Sequence, residues 1–234
     1  MSVIRSLHLL FALVIPALLG IISGALWALC TADRRRTTNA VMRVVGWLAP
    51  RLAGLRIQCS NRHFLAQRPA VVVFNHQSGL DPVILCALLQ RDAVGVAKQP
   101  LARNLLLGPL LRFPGTIFLG EKTERRTRVL EQAQVALDSG LSIVMAPEGT
   151  RVQSQSGVGR FRSGACEIAQ RCGVPVLPVV IHNSGERLAA RGRQLFPGPV
   201  RVTVLPPRRI APDADLEKAT RELEQAYVEA LAQA

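Results

Sequence analysis

The chain has 234 residues and a mass of 25.4 kDa, which suits one domain of ordinary size with a short extension. Its 29 Lys and Arg outnumber 16 Asp and Glu, giving a net charge of +13, while 49% of the residues are hydrophobic. This composition excludes an intrinsically disordered chain. Aromatic residues make up only 4%, so platforms for stacking nucleic-acid bases are scarce. We therefore expect an anionic membrane surface, and no nucleic acid, as partner.

The N-terminal region is strongly apolar. Residues 9–30 carry no charged side chain, and as a helix they would reach roughly 33 Å, about the hydrocarbon thickness of a bilayer. The competing interpretation, a secretory signal peptide, requires a shorter apolar run. Pro16 and Gly20 leave open both a spanning helix and a shallow insertion into one leaflet. Three arginines at 34–36 follow, and by the positive-inside rule they predict that the rest of the chain faces the cytoplasm.

A second helix is predicted next, ending near Pro50. Its apolar residues recur at helical spacing: Val41, Val44, Val45, Leu48 and Leu52. The pattern fits a helix docked on the domain as well as a basic helix lying in a membrane interface, and the nearby apolar segment favours the interface. We predict a membrane-anchoring segment over residues 1–54 and a catalytic domain over residues 55–234.

From residue 55 onward, short β-branched runs alternate with helical patterns, which is typical of an α/β fold. The predicted strands are 55–59, 70–74, 93–97, 116–119, 142–146, 176–181 and 200–205. The predicted helices are 82–90, a Leu-rich piece near 101–111, 125–139, 163–172 and 216–232. Residues 151–160 are polar and predict a loop. The expected architecture is a mixed central sheet flanked by helices, with an N-terminal membrane-associated helical segment.

The five cysteines show no CxxC pair or other zinc-like spacing. Their odd number favours free thiols in a reducing compartment. We expect no metal site.

The first chemical motif is Asn-His-Gln-Ser-Gly-Leu-Asp at residues 75–81, between a predicted strand and a predicted helix. His76 can act as a general base if Asp81 accepts a hydrogen bond from one ring nitrogen and the other faces substrate. The spacing alone is a weak signal. Asp81 followed by Pro82 also predicts a helix N-cap with proline at the first helical position, and both roles can coexist.

The second motif is Ala-Pro-Glu-Gly-Thr-Arg at residues 146–151, just past another predicted strand. Gly149 allows close approach of the backbone, and Arg151 offers a guanidinium suited to phosphate. In isolation the motif fits a turn with a surface ion pair equally well. Two shorter pieces follow, Phe-Arg-Ser-Gly-Ala at 161–165 and Val-Pro-Val-Leu-Pro at 174–178.

Together, in this order, these motifs resemble the glycerolipid acyltransferase family of 1-acylglycerol-3-phosphate acyltransferases, over residues 55–207. The resemblance implies that His76, oriented by Asp81, deprotonates the hydroxyl of a lysophospholipid, which attacks an acyl thioester. It implies an acceptor headgroup site at the residues Glu148, Gly149, Thr150 and Arg151. Phosphatidic acid would be the product, formed at the cytoplasmic side of the inner membrane. The co-substrate would be acyl-CoA or acyl carrier protein, with no cofactor or metal.

One block departs from the family pattern. Residues 115–121 place Glu121 where the family has an arginine, so we expect Lys122 and Arg125 to assist in headgroup binding. An acyltransferase for another lysolipid, such as lyso-ornithine lipid, is therefore the alternative function. The sequence contains no G-x-S-x-G serine nucleophile motif, and Glu121 also interrupts a near match to a phosphate-binding loop. A non-enzymatic membrane-binding protein would leave His76 and Asp81 without a role.

Overall fold

The computed structural model describes residues 2–31, 33–103, 108, 112, 115–119, 124–152, 158–188 and 194–233. Its helices are α1 (Ser2–Cys30), α2 (Arg34–Leu52), α3 (Asp81–Leu89), α4 (Gln99–Ala102), α5 (Glu124–Asp138), α6 (Gly164–Arg171), α7 (Ser184–Arg187) and α8 (Leu216–Ala232). Its strands are β1 (Leu55–Ser60), β2 (Val71–Phe74), β3 (Ala93–Lys98), β4 (Ile117–Leu119), β5 (Ser142–Met145), β6 (Val176–Ile181) and β7 (Gly198–Val204). A short 3-10 helix covers Arg62–Ala66.

These strands form one sheet in the order β1-β7-β6-β2-β5-β3-β4. The β6–β7 pair is antiparallel and the other neighbouring pairs are parallel. The predicted mixed α/β fold is therefore confirmed, and each predicted strand agrees with the structure to within two residues at either end. Of the Leu-rich helix predicted near 101–111, α4 covers the first two residues, and most of the remainder lies outside the described residues.

Helices cover both faces of the sheet, so the central strands are apolar on both sides. On one face, Val72 belongs to a buried cluster with Leu80 and Ile84 of the α3 region. On the other, Val71 and Val73 pack with residues of α5, α6 and α8. Because β2 and β5 are parallel neighbours, the chain leaves both strands at the same edge. The two sequence motifs lie in the loops that follow β2 and β5, and these loops are therefore neighbours.

The second N-terminal helix is longer than predicted and packs differently. It begins at Arg34, where Asp33 accepts hydrogen bonds from the N–H groups of residues 35 and 36, and it continues through Pro50 to Leu52. The helix contacts both α1 and α3, so it is docked on the domain as well as on the first helix. Val41 and Val45 of its apolar stripe lie beside Gly20 of α1. Contact with α3 is close: a Cβ on Gly46 would lie within 3 Å of the Cys86 carbonyl oxygen. Trp47, outside the stripe, remains exposed.

A polar cluster ties the start of α2 to the loop before β3. Arg35 Nε donates to Asp92 Oδ1 at 2.6 Å, and Asn39 Nδ2 donates to the same oxygen at 2.9 Å. The hydrogen bond from Arg35 lowers the pKa of Asp92 to about 2, against an opposing effect of burial. Arg35 therefore binds the domain, although the sequence suggested only a membrane-flanking charge. The division of the chain at residue 54 stays a prediction.

In α1, residues Leu7–Cys30 are long and apolar enough to cross a membrane, with a mean hydropathy of 2.5. Pro16 lies inside this helix. The large apolar side chains that α1 leaves exposed are Leu7, Leu10, Phe11, Val14, Leu18, Leu19, Ile22, Leu26, Trp27 and Leu29. Most of the apolar surface of α1 is therefore covered neither by α2 nor by the other described residues.

Candidate active site

His76 and Asp81 meet on the loop between β2 and α3. His76 Nδ1 lies 2.7 Å from Asp81 Oδ2. The Asp81 side chain is completely buried, whereas that of His76 is 24% exposed. The predicted contact between the two side chains is therefore present. It joins a buried carboxylate to a ring that solvent can reach.

The Asp81 carboxylate accepts four hydrogen bonds from residues that the structure describes. Besides His76, its Oδ2 atom receives the backbone N–H groups of Gln77 at 2.9 Å and Ser78 at 2.8 Å. Its Oδ1 atom receives the hydroxyl of Ser184 at 2.5 Å. The prediction that Asp81 is an N-cap is wrong: Leu80 is the N-cap and makes no side-chain cap bond. Asp81 is the first residue of α3, so its carboxylate binds N–H groups of the preceding turn.

This arrangement favours one tautomer of the imidazole. An ionised carboxylate can only accept, so Nδ1 carries the proton that is donated to Asp81. Nε2 of the neutral ring then holds a lone pair and can accept a proton from a substrate. The Phe74 ring lies edge-on to the imidazole, with the centroids 5.6 Å apart. The pair has the geometry of a general base with an orienting carboxylate.

Glu148 binds the backbone of the loop between β2 and α3, residues 75–80, which we call the histidine loop. Its side chain is buried, and its two oxygens accept from the N–H groups of His76 at 2.8 Å and Gly159 at 3.0 Å. Burial raises the pKa of Glu148, and the two N–H donors oppose that rise. Val152 N–H in turn donates to the His76 carbonyl at 2.8 Å. The loop after β5 thus holds His76 at both backbone groups, while an acceptor-binding role for Glu148 stays a prediction.

The rest of this motif lies next to the histidine loop. Gly149 has a φ of 65°, a left-handed conformation that glycine adopts most readily. Thr150 and Arg151 are exposed. Arg151 Nη1 lies about 4.0 Å from the position that a Cβ on Gly79 would occupy. The structure therefore brings the two motifs together and places a guanidinium beside the turn that follows His76.

The structure does not describe the side chains of the other residues predicted to assist in headgroup binding. Lys122 and Glu121 lie outside the described residues, and only the backbone of Arg125, in α5, is described. Their contribution to acceptor binding stays a prediction. Within the described ranges, no group of three or more His, Cys, Asp or Glu side chains is placed to hold a metal ion.

Two site residues had no predicted role. Asn75 is buried, and its side-chain amide exchanges hydrogen bonds with Ile181 N at 2.8 Å and Ile181 O at 2.9 Å. These bonds extend the β2–β6 pairing past the end of β2. Ser184 is 103 residues from Asp81 in the chain. Ser184 reaches the site because β6 lies next to β2 in the sheet. This pairing of strands cannot be predicted from local sequence patterns.

Comparison with known proteins shows the family to which the chain belongs. The family model described as Acyltransferase matches residues 56–182. A human 1-acyl-sn-glycerol-3-phosphate acyltransferase alpha is 30% identical over 182 residues, 76% of this chain and 64% of its own length. The Escherichia coli K12 1-acyl-sn-glycerol-3-phosphate acyltransferase is 27% identical over 197 residues, covering 83% of this chain and 79% of that protein.

A solved structure supports the fold. The 1-acyl-sn-glycerophosphate acyltransferase of Thermotoga maritima superposes with a TM-score of 0.78 at 24% identity, covering all of this chain and 97% of its own. The matched family segment contains His76, Asp81 and the Glu148 motif, and it makes up more than half of the chain. The chain therefore belongs to the acyltransferase family. It spans 64% of the length of the human relative.

Proposed function

We propose that the protein transfers an acyl chain from acyl-CoA or acyl carrier protein to the free hydroxyl of 1-acylglycerol-3-phosphate, producing phosphatidic acid. The observation that carries this proposal is the hydrogen bond between His76 Nδ1 and the buried Asp81, which leaves Nε2 available as a base. The named activity of the human and Escherichia coli relatives supports the choice of acceptor.

The proposed reaction has two proton transfers. His76 Nε2 takes the proton of the acceptor hydroxyl while the oxygen attacks the thioester carbonyl carbon. The tetrahedral oxyanion then collapses and the C–S bond breaks. The departing thiolate takes the proton back from Nε2. Asp81 stabilises the imidazolium between these transfers, and a thioester is sufficiently activated that no covalent enzyme intermediate is required.

Arg151 is the proposed ligand of the acceptor phosphate. A phosphate monoester carries up to two negative charges, and a guanidinium can bind two of its oxygens at once. In the described part of the chain, Arg151 makes no ion pair, so its charge is available. Its position beside Gly79 would put a bound phosphate near the histidine loop. The sn-2 hydroxyl is only a few bonds from that phosphate.

The exposed apolar face of α1 supports a location at the membrane, where both the acceptor and the product reside. We place the protein at the inner membrane with the catalytic domain on the cytoplasmic side, because three arginines follow the apolar helix. Membrane lipids are then partners as well as the source of substrate.

The acceptor is tested by incubating the purified protein in detergent with acyl-CoA and acyl carrier protein thioesters against lysophosphatidic acid and lyso-ornithine lipid. Product masses report the reaction. We expect phosphatidic acid as the main product. Activity confined to the ornithine lysolipid would overturn the assignment and give the acidic Glu121 a role in binding a cationic headgroup.

The headgroup site is tested by Arg151→Ala. Loss of hydrogen bonds to a charged group costs about 1.5–3 kcal/mol, so we expect KM for lysophosphatidic acid to rise at least about tenfold with a smaller change in kcat. Arg221→Ala, at an exposed position on α8, is the matched control and should leave KM unchanged. Equal KM values for the two variants would exclude Arg151 as the ligand.

A further inference from the structure

We propose that Ser184 is a positioning residue for the His76–Asp81 base. The inference rests on the proposed function, because it assigns a role within that reaction. Ser184 follows β6 as the first residue of α7 and is completely buried. Its hydroxyl donates to Asp81 Oδ1, the carboxylate oxygen on the side away from the histidine.

The hydrogen bonds of Asp81 are divided unequally between its two oxygens. Oδ2 accepts from His76 and from two backbone N–H groups. In the described part of the chain, Ser184 is the donor found for Oδ1. A fully buried carboxylate stays ionised only if donors replace its lost water. Removing the Ser184 hydroxyl therefore leaves one oxygen of a buried anion unsatisfied.

Strand pairing holds the Ser184 hydroxyl in place. Phe74, the last residue of β2, pairs with Val179 of β6, and the Asn75 amide continues this pairing to Ile181. Close packing continues beyond the strand, where a Cβ on Gly185 would lie 3.8 Å from Gln77 Cβ. The serine thus reaches Asp81 from the segment that follows β6, a strand paired with β2. It is well suited to fix the rotation of the carboxylate about its Cβ–Cγ bond.

The rotation of the carboxylate matters because it sets the direction of Oδ2 toward His76 Nδ1. With Oδ1 fixed by Ser184, Oδ2 is held in line for the imidazole and favours the tautomer that leaves Nε2 unprotonated. Ser184 does not need to touch the substrate for this effect. A role as helix cap does not explain the contact, because Asn183 is the N-cap of α7.

The test compares Ser184→Ala with Ser184→Thr and with a matched control. Ser142 is also a completely buried serine, and its hydroxyl accepts the Ala70 N–H at 3.2 Å at the opposite end of β5 from the site. We expect Ser184→Ala to lower kcat about tenfold, as for loss of about 1.4 kcal/mol from the transition state, with KM for both substrates within about twofold. Ser184→Thr should recover most of kcat, and Ser142→Ala should leave it unchanged.

Nitrogen NMR of histidine-labelled protein gives a readout that a purely structural role would not move. In the wild type, His76 should carry its proton on Nδ1, whereas Ser184→Ala should populate the Nε2–H tautomer. If Ser184→Ala does not fold, Ser184→Cys retains a weak donor at the same position and should give an intermediate kcat.

Wild-type kcat and tautomer in Ser184→Ala, or an equal loss of kcat in Ser142→Ala, would overturn the inference. If Ser184→Ala does not fold, a Ser184→Cys variant with the kcat of the wild type would also overturn the inference. A wild-type protein that acylates no lysolipid would refute the proposed function instead. The two failures are therefore distinguished by the wild-type assay.

Discussion

At the scale of single residues, the buried carboxylates of Asp81 and Glu148 both accept hydrogen bonds from backbone N–H groups. The His76–Asp81 contact was predictable because the two residues are five apart on one loop, so local geometry brings them together. The contact of Glu148 with His76 N–H was not, because it depends on the pairing of β2 with β5 across 72 residues. Sequence spacing carries information about the first kind of contact only.

Glu148→Gln tests the backbone role of this carboxylate. Glutamine offers one oxygen, so its NH₂ group would face either the His76 or the Gly159 N–H and one bond would be lost. We expect the free energy of unfolding to fall by about 1–3 kcal/mol, with a lower kcat because the histidine loop is less fixed. Denaturant unfolding and steady-state kinetics measure both. Glu229→Gln, at an exposed position on α8, is the control, and a Glu148→Gln variant indistinguishable from it would contradict this role.

At the scale of elements, Asp92 connects the N-terminal helices to the domain, and its effect on stability depends on pH. Its pKa is about 2 in the folded protein against the usual 3.8, so the unfolded chain takes up its proton first as the pH falls. The stabilisation is present above about pH 4 and is lost as the pH falls toward 2. A shift of this size corresponds to about 2 kcal/mol.

Asp92→Asn should therefore lower the free energy of unfolding by about 2 kcal/mol at neutral pH and flatten its dependence on pH between about 4 and 2. Unfolding by denaturant across that pH range provides the measurement. Asp213→Asn changes an exposed aspartate elsewhere on the protein and serves as the control. If the free energy of unfolding of both variants depends on pH as it does in the wild type, Asp92 does not tie α2 to the domain.

The crossing of α2 and α3 depends on the absence of a side chain at Gly46. A Cβ there would meet backbone atoms of Cys86 and Ala87, which cannot move without shifting α3. We expect Gly46→Ala to lower the melting temperature, with an overpacking cost of about 1–3 kcal/mol. Gly95→Ala is the matched control, because a Cβ at Gly95 has no neighbour within 4 Å among the described residues. Equal melting temperatures would contradict the close crossing.

Strands were easier to predict than the packing of helices. The strands follow short β-branched runs bounded by turn residues, a signal that lies within each run. The apolar stripe of α2 has the same period whether it faces lipid or a protein core, so periodicity did not identify its partner. The partner became clear only from the contacts with α1 and α3. The sheet order was likewise outside the reach of local signals, since β1 pairs with β7 across most of the chain.

At the scale of the whole molecule, the packing of α2 determines how membrane attachment is best tested. Deleting residues 1–54 would uncover the buried α2 contacts on α3 and destabilise the domain. The exposed face of α1 can instead be changed in place, by replacing Leu18, Ile22 and Leu26 together with glutamine. These side chains are between 54% and 58% exposed, so the domain itself should remain folded.

We expect the wild type to float with liposomes containing anionic lipid and the triple variant to float much less, because burial of each apolar side chain contributes about 1.5–3 kcal/mol. Val135→Gln, which alters a 67% exposed apolar residue on α5, should float like the wild type. A triple variant that floats as well as the wild type would show that another surface attaches the protein.

The central claim is that His76 is the base that activates the lysolipid hydroxyl. It is tested most directly by measuring turnover of acyl thioester and lysophosphatidic acid by the wild type and by His76→Ala, with folding of both checked by circular dichroism. General base catalysis contributes about 10² to 10⁴ in rate, so we expect phosphatidic acid formation by the wild type and a loss of at least about a hundredfold in a folded variant. A folded His76→Ala protein that retains more than about a tenth of the wild-type rate would contradict it.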